Sequence, residues 1–324
     1  MRSIEELRDL FTAYLQQEMI HKDPAGLYEP GNYFLQIGGK RLRPVLLLLA
    51  TELFDGKAEE ALPAALAIEY FHNFSLIHDD VMDAAPLRRG YTTLHEKYNL
   101  NTAILSGDAL FIKSFEYLGK VTPEKFKRLF DIFIQTAIAV CEGQQYDIDF
   151  ETKEFVTHAE YIEMIRLKTS VLLAASMQIG SLLGNAGEEE SKLVYAYAEN
   201  LGIAFQVQDD ILDCYGDEKL VGKQPGGDIL QNKKTLLMIE ALKRSAENKD
   251  GNLQNWLSRQ SFDHDEKRHA ILNIFNQYGI REFGMQQRDL FIDRSMQALH
   301  ELQLADFKKA PLKDLVSYLV LRDF

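Results

Sequence analysis

Two five-residue segments carry the most direct chemistry: Asp79-Asp80-Val81-Met82-Asp83 and Asp209-Asp210-Ile211-Leu212-Asp213. Each has the form Asp-Asp-x-x-Asp, and each closes a strongly apolar stretch of helical period. Residues four apart on a helix are neighbours, so Asp79 lies beside Asp83 and Asp209 beside Asp213. Three carboxylates in one turn repel one another, and they sit at the negative end of the helix dipole. Hard oxygens clustered in this way suit Mg²⁺, which takes one or two carboxylates together with water and phosphate oxygens. One such cluster reads most simply as a solvated helix end. Two on apolar helices, each followed by a basic or glycine-rich stretch, point instead to metal-assisted binding of a diphosphate. Neither has the alternating Asp-x-Asp-x-Asp-Gly loop of an EF-hand.

Cations gather in four places: Lys40, Arg41 and Arg43; Arg88 and Arg89; Lys168; and Lys223, Lys233 and Lys234. A lone Lys or Arg is ordinary surface charge. These groups stand at a helix start, at a glycine-rich turn or within an apolar helix, where Arg clamps phosphate oxygens in pairs and Lys acts as a point charge.

The elements that must position these groups are almost all helical. Residues 58–83 repeat apolar and small residues at three- and four-residue steps, with Pro63 placed near the start, where its missing N–H is harmless. Thr157-His158-Ala159-Glu160 has capping-box spacing and opens a helix to about Leu183, with Gly184 and Gly187 at its stop. Further helices are expected over about 101–119, 123–145, 192–214, 233–247, 265–278, 280–302 and 311–321. No run of alternating strands and no internal repeat is evident. Three segments break the helical pattern: Gly38 to Pro44, Ala84 to Thr93, and Gly222 to Asn232.

Composition sets the outer bounds. The chain has 324 residues, 46% hydrophobic and 26% charged, with only 8 prolines. A net charge of -13 argues against nucleic acid, since no basic excess neutralises phosphates. Two cysteines, Cys141 and Cys214, make no disulfide framework and fit a reduced, cytoplasmic compartment. The amphipathic, acid-containing N-terminus is unlike a targeting peptide, and the longest apolar run, Pro44 to Ala50, is too short to span a bilayer.

From Gly38 to about Thr235 the chain resembles the trans-isoprenyl diphosphate synthases, or polyprenyl synthetases. Gly38-Gly39-Lys40-Arg41-Leu42-Arg43-Pro44 is similar to the family's isopentenyl diphosphate signature. Leu76 through Asp79, Asp80 and Asp83 to Arg88-Arg89-Gly90 resembles its first aspartate-rich motif, and Gln206 with Asp209, Asp210 and Asp213 the second. Gly107-Asp108, Gly143-Gln144 with Asp147, and Lys168-Thr169-Ser170 fall in the same order. The resemblance implies one domain over 1–324, an all-α bundle of long helices around a deep central cavity, with the aspartate clusters facing each other at its mouth, and a homodimer. It implies that Lys40, Arg43, His72 and Arg89 hold isopentenyl diphosphate. Asp79, Asp83 and Asp209 become direct Mg²⁺ ligands, three ions binding with substrate, and Asp80, Asp210 and Asp213 support the metals or their waters. Arg88, Lys168, Thr169, Gln206, Lys223 and Lys233 would hold the allylic diphosphate. The loop between Lys223 and Asp228 is a residue longer than in many relatives, which leaves Lys234 as an alternative to Lys233. His72 and Gln206 also read as satisfied core residues, and His78 as structural.

The implied reaction breaks the carbon–oxygen bond of the allylic diphosphate and joins the resulting cation to isopentenyl diphosphate, giving a linear all-trans prenyl diphosphate. No motif side chain is an obvious general base, so the released diphosphate is expected to take the proton. Product length is expected to depend on Phe71, Phe74 and Ser75. Phe74 lies five residues before Asp79, roughly 7.5 Å along the helix, where an aromatic floors the cavity of short-chain members. Small Ser75 and the lack of a two-residue insertion in the first motif favour twenty carbons, with fifteen or a longer chain as alternatives. Phe71 and Phe74 also read as plain core aromatics. A class I terpene cyclase needs one diphosphate site and leaves Gly38–Pro44, Arg88 and Arg89 unexplained. A non-catalytic partner subunit would have lost some Asp or Lys positions. A helical phosphohydrolase would draw on clustered histidines, which the 8 here do not form.

Overall fold

Ser3 opens the first helix, α1 (Ile4–Gln17), through a capping box: its hydroxyl accepts the Glu6 backbone N–H, and the Glu6 carboxylate accepts that of Ser3. Leu7, Phe11 and Leu15, four residues apart, form its buried stripe. The structure is a computed structural model that describes residues 1–216 and 226–320. It continues through α2 (Ala25–Gln36), α3 (Leu42–Leu53), α4 (Ala58–Met82), α5 (Leu94–Lys97), α6 (Leu100–Leu118), α7 (Pro123–Thr152) and α8 (His158–Ile165). A π-helical turn, Arg166–Ser170, joins α8 to α9 (Val171–Leu183), and α10 (Glu188–Tyr215) follows. Beyond it lie Gly227–Leu230, Leu236–Glu247, Asn252–Leu257, His264–Gln277, Ile280–Glu301 and Asp306–Leu319. Among the described residues the strands are limited to a hairpin of two-residue pieces, β1 (Leu87–Arg88) and β2 (Tyr91–Thr92), paired antiparallel. The architecture is all-α, as expected from the sequence.

Three local differences have physical causes. The helices α2 and α3 are not among those the periodicity marks, because Pro30 and Pro44 lie inside them. Pro44 occupies the first turn of α3, where no intrahelical N–H is needed. Pro63 is the sixth residue of α4, not its first turn, so the carbonyl of Glu59 loses its usual i+4 donor there. The helix at 123–145 runs on to Thr152, and Thr157 forms the expected capping box, accepting from Glu160 N–H.

The chain divides into two compact units, Met1–Ala137 with Ala175–Tyr195, and Ile138–Ala174 with Ala196–Phe324. In the first, α4 is apolar all round and buried through Ala61, Ala64, Ala65 and Ala67, small residues that let neighbouring backbones come close. An aromatic ladder, Phe71–Phe133–Phe115–Phe111, runs at centroid spacings of 5.5, 5.4 and 5.0 Å. In the second unit, fully buried Lys267 donates to the Leu230 carbonyl (3.0 Å) and Asn232 Oδ1 (2.7 Å), pinning the turn that precedes Lys233. Cys141 and Cys214 are both free thiols, and no described helix is long and apolar enough to cross a membrane.

Gly180 in α9 meets α3 backbone to backbone: a Cβ there would stand 2.1 Å from the Leu47 carbonyl oxygen. Gly180→Ala therefore destabilises by about 1–3 kcal/mol, outweighing the gain in helix propensity of about 1 kcal/mol. Gly26→Ala, with open space around it, does not. Thermal melts of the two variants check this, and a Gly180→Ala melting point at or above that of the parent contradicts it.

Candidate active site

In the first unit, glycines shape a basic cluster. Gly38 and Gly39 have φ of 87° and 135°, and a Cβ on Gly39 would lie 2.4 Å from the Arg89 guanidinium. Arg89 lies over this bare backbone and donates to the Gly38 carbonyl. It reaches there from the β1–β2 turn, where Arg89 and Gly90 both have positive φ (53° and 80°), as a type I′ hairpin requires. Arg43, in the first turn of α3, donates to His72 Nε2 at 3.1 Å. Burial, then the nearby guanidiniums of Arg43, Arg89, Arg88 and Arg41, hold His72 far below its ordinary pKa and therefore neutral. Burial also lowers Arg43 to about 10. Arg41 is engaged within this cluster: its buried guanidinium pairs with Glu69 at 2.5 Å and caps the Leu35 carbonyl, at a backbone φ of 48°. Lys40 is exposed.

The aspartate motifs share one design. The second aspartate of each is buried, Asp80 at 1% and Asp210 at 3% exposure, whereas Asp83 and Asp209 are exposed and Asp79 is half-buried. Asp80 is thus not turned to water. Its Oδ1 accepts from Arg88 Nε at 2.7 Å, while Arg88 Nη2 reaches Asp79 Oδ2 at 3.2 Å. Burial raises the Asp80 pKa and the Arg88 charge opposes the rise. Asp80 Oδ2 has no hydrogen-bond partner among the described residues.

In the second unit, Asp210 accepts from the Tyr161 hydroxyl at 2.5 Å and from Gln206 Nε2 at 3.4 Å. Burial pushes Asp210 up to about 8, against the Tyr161 hydrogen bond. Asp213 Oδ2 accepts the Asp228 backbone N–H at 3.0 Å and so fixes the start of the Gly227–Leu230 turn. Asp210, Gln206, Asp228, Tyr161, Lys168, Thr169, Lys233 and Asp147 line one pocket of about 70 Å³. Lys168 Nζ lies 2.6 Å from Asp147 Oδ2, and Lys233 4.0 Å from the same oxygen. Thr169 Oγ1 reaches Gln206 Oε1 at 3.4 Å. Lys234 instead donates to the Phe150 and Glu151 carbonyls at the end of α7. Lys223 lies outside the described residues.

Of the length-determining candidates, Phe71 is 1% exposed and packs on Phe133, Phe111 and Phe74, a core aromatic. Phe74 is half-buried, its ring 4.8 Å from Phe111 and 4.7 Å from His78. Ser75 bonds back to the His72 carbonyl. His78 fills the space above Gly107 and approaches Asp108 at 3.7 Å, a packing role. Sequence reasoning missed Tyr161, Asp228 and Phe111. Only Tyr161 had a signal: Tyr161, Met164, Ile165, Lys168 and Thr169 recur at helical spacing on one face.

An all-helical fold with these two aspartate-rich sites defines the isoprenoid synthase class, and comparison with known proteins names the family. The polyprenyl synthetase family model matches residues 24–275. The chain is 44% identical to a geranylgeranyl diphosphate synthase of Methanosarcina mazei over 223 residues, 68% of this chain and 69% of that protein. It is 38% identical to a geranylfarnesyl diphosphate synthase of Natronomonas pharaonis over 257 residues, 74% and 75% of the two. A crystal structure of a geranylgeranyl pyrophosphate synthase superposes with a TM-score of 0.95 at 40% identity, covering 100% of both chains. The chain belongs to the polyprenyl synthetase family and is a trans-prenyltransferase.

The neutral His72 has a measurable consequence. On unfolding it regains its ordinary value of 6.5, so below about pH 6.5 the unfolded chain binds a proton that the folded chain refuses. Its contribution to stability is complete above that pH and declines as the pH falls. The drop in melting temperature between about pH 7.5 and about pH 5.5 should be smaller in His72→Gln than in the parent, and an equal drop contradicts the assignment.

Proposed function

We propose that the chain condenses isopentenyl diphosphate head-to-tail with an allylic diphosphate, in a Mg²⁺-dependent reaction that yields a linear all-trans diphosphate of twenty carbons and releases diphosphate. The observation that carries this reading is the basic cluster of Arg43, His72 and Arg89 on the bare Gly38–Gly39 backbone. A cyclase with one diphosphate has no use for it. Lys40, Arg43 and Arg89 would grip isopentenyl diphosphate, with neutral His72 donating its ring N–H to a phosphate oxygen. Lys168, Lys233, Thr169 and Gln206 would hold the allylic diphosphate, with Asp147 orienting both lysines. Lys223 remains a candidate on sequence alone.

The donor chemistry fits Mg²⁺: Asp83 and Asp209 are exposed carboxylates, and half-buried Asp79 would give up its Arg88 pairing to ligate. Bound Mg²⁺ would supply positive charge to the departing diphosphate as the carbon–oxygen bond breaks. Arg88, tied to both Asp79 and Asp80, would add a fixed cation. Positioning of the substrates would contribute much of the rate, and the released diphosphate, itself a base, would accept the proton lost as the new alkene forms.

The twenty-carbon length is supported by the relatives named for that product and by the ring of Phe74 backed by Phe111. We read the two units as one synthetase domain, since a single family model spans both. A cytoplasmic homodimer is the further expectation. Exposed Ile104, Leu105 and Ile112 on α6 offer an apolar strip of the kind a second copy would cover.

Asp79→Ala and Asp209→Ala should each lower turnover by about 10³-fold or more while circular dichroism stays unchanged. Incorporation of labelled isopentenyl diphosphate measures this, and near-parental turnover in either variant refutes the site. Phe74→Ala should lengthen the product series, with Phe111 limiting the gain. An unchanged series removes Phe74 from the floor.

A further inference from the structure

Lys168 and Thr169 sit on a π-helical turn in which the Val171 N–H donates to Arg166 O, five residues back. Such a turn is wider and rarer than an α turn, and it persists where its neighbours leave room. Two glycines leave that room. A Cβ on Gly143 of α7 would stand 2.2 Å from the Lys168 backbone nitrogen and 2.7 Å from Lys168 Cα. A Cβ on Gly202 of α10 would stand 2.9 Å from Ser170 Cα, Cβ and Oγ. The contact at Gly143 is with backbone, so no side-chain rotation relieves it. Asp147, which takes Lys168 at 2.6 Å, is one turn beyond Gly143 on the same face of α7. The bare backbone lets the wide turn approach, and the carboxylate one turn later catches its lysine.

We propose that Gly143 and Gly202 are positioning residues that set how deeply Lys168 and Thr169 enter the pocket, and thereby set affinity for the allylic diphosphate. The proposal rests on Lys168 being a ligand of that diphosphate. An added methyl at residue 143 must push the Lys168 backbone away, because the α7 backbone cannot yield without breaking its own ladder of hydrogen bonds. Displacement on the ångström scale costs up to about 100-fold at such a site. Isopentenyl diphosphate, bound through the first unit's arginines, should not register the change.

The test is steady-state kinetics of the full chain with Mg²⁺, farnesyl diphosphate and isopentenyl diphosphate, with inorganic pyrophosphate as a competing probe. In Gly143→Ala the KM for farnesyl diphosphate and the Ki for pyrophosphate should both rise about tenfold or more, with the KM for isopentenyl diphosphate little changed, while the melting temperature falls as expected for any backbone clash of this kind. Lys168→Ala separates the two levels. If it leaves the allylic KM unchanged, the reading of Lys168 is wrong. If it raises that KM and folded Gly143→Ala does not, the glycine proposal is overturned. Should Gly143→Ala fail to fold, Gly202→Ala is the second variant, and its raised allylic KM should be partly reversed by Ser170→Gly in the same chain. A folded Gly202→Ala with parental allylic KM overturns the proposal equally.

Discussion

A carboxylate buried at the C-terminal end of an apolar helix is opposed three times over: by lost hydration, by the helix dipole and by its neighbouring carboxylates. Asp80 and Asp210 both occupy that position. Each is reconciled by a close donor, the Arg88 guanidinium for Asp80 and the Tyr161 hydroxyl for Asp210, with Gln206 Nε2 a longer second donor to Asp210. Removing Arg88 leaves Asp80 without its ion-pair partner, a loss of about 3–5 kcal/mol in buried pairs, and removing Tyr161 leaves Asp210 without its closest hydrogen-bond donor, a loss of about 1–3 kcal/mol. The inward aspartates therefore anchor Arg88 and Tyr161, while Asp83 and Asp209 remain exposed to solvent.

The cationic side depends on backbones meeting without side chains. Arg89 lies on Gly39, and the Lys168 turn lies on Gly143. In both places a charged group is delivered by a strained or unusual backbone, a type I′ turn in one case and a π turn in the other, that only glycine neighbours admit. Charge placement and backbone shape are thus one problem in this chain. Arg41, in the middle of the basic signature, is engaged within the cluster: its guanidinium is spent on Glu69 and the Leu35 carbonyl.

Much of this was legible beforehand. The two Asp-Asp-x-x-Asp segments declare themselves by charge against an apolar background, and Thr157 with Glu160 announces a helix start that the structure contains. What escaped the sequence is what depends on contact between distant residues. Asp80 and Asp79 look alike in sequence and differ only in which way the helix turns them. Tyr161 is 49 residues from Asp210, and the π turn has no compositional mark, since Arg166–Ser170 would serve equally in an α-helix. The different settings of Lys233 and Lys234 likewise depend on the end of α7, whose carbonyls accept from Lys234.

The most direct measurement is the product series made by the purified chain from isopentenyl diphosphate with dimethylallyl, geranyl or farnesyl diphosphate, with and without Mg²⁺ chelation. The account predicts condensation that stops at twenty carbons and vanishes on chelation. A series ending elsewhere would keep the reaction and displace Phe74 as its limit, whereas folded protein that condenses no primer would contradict the account at its centre.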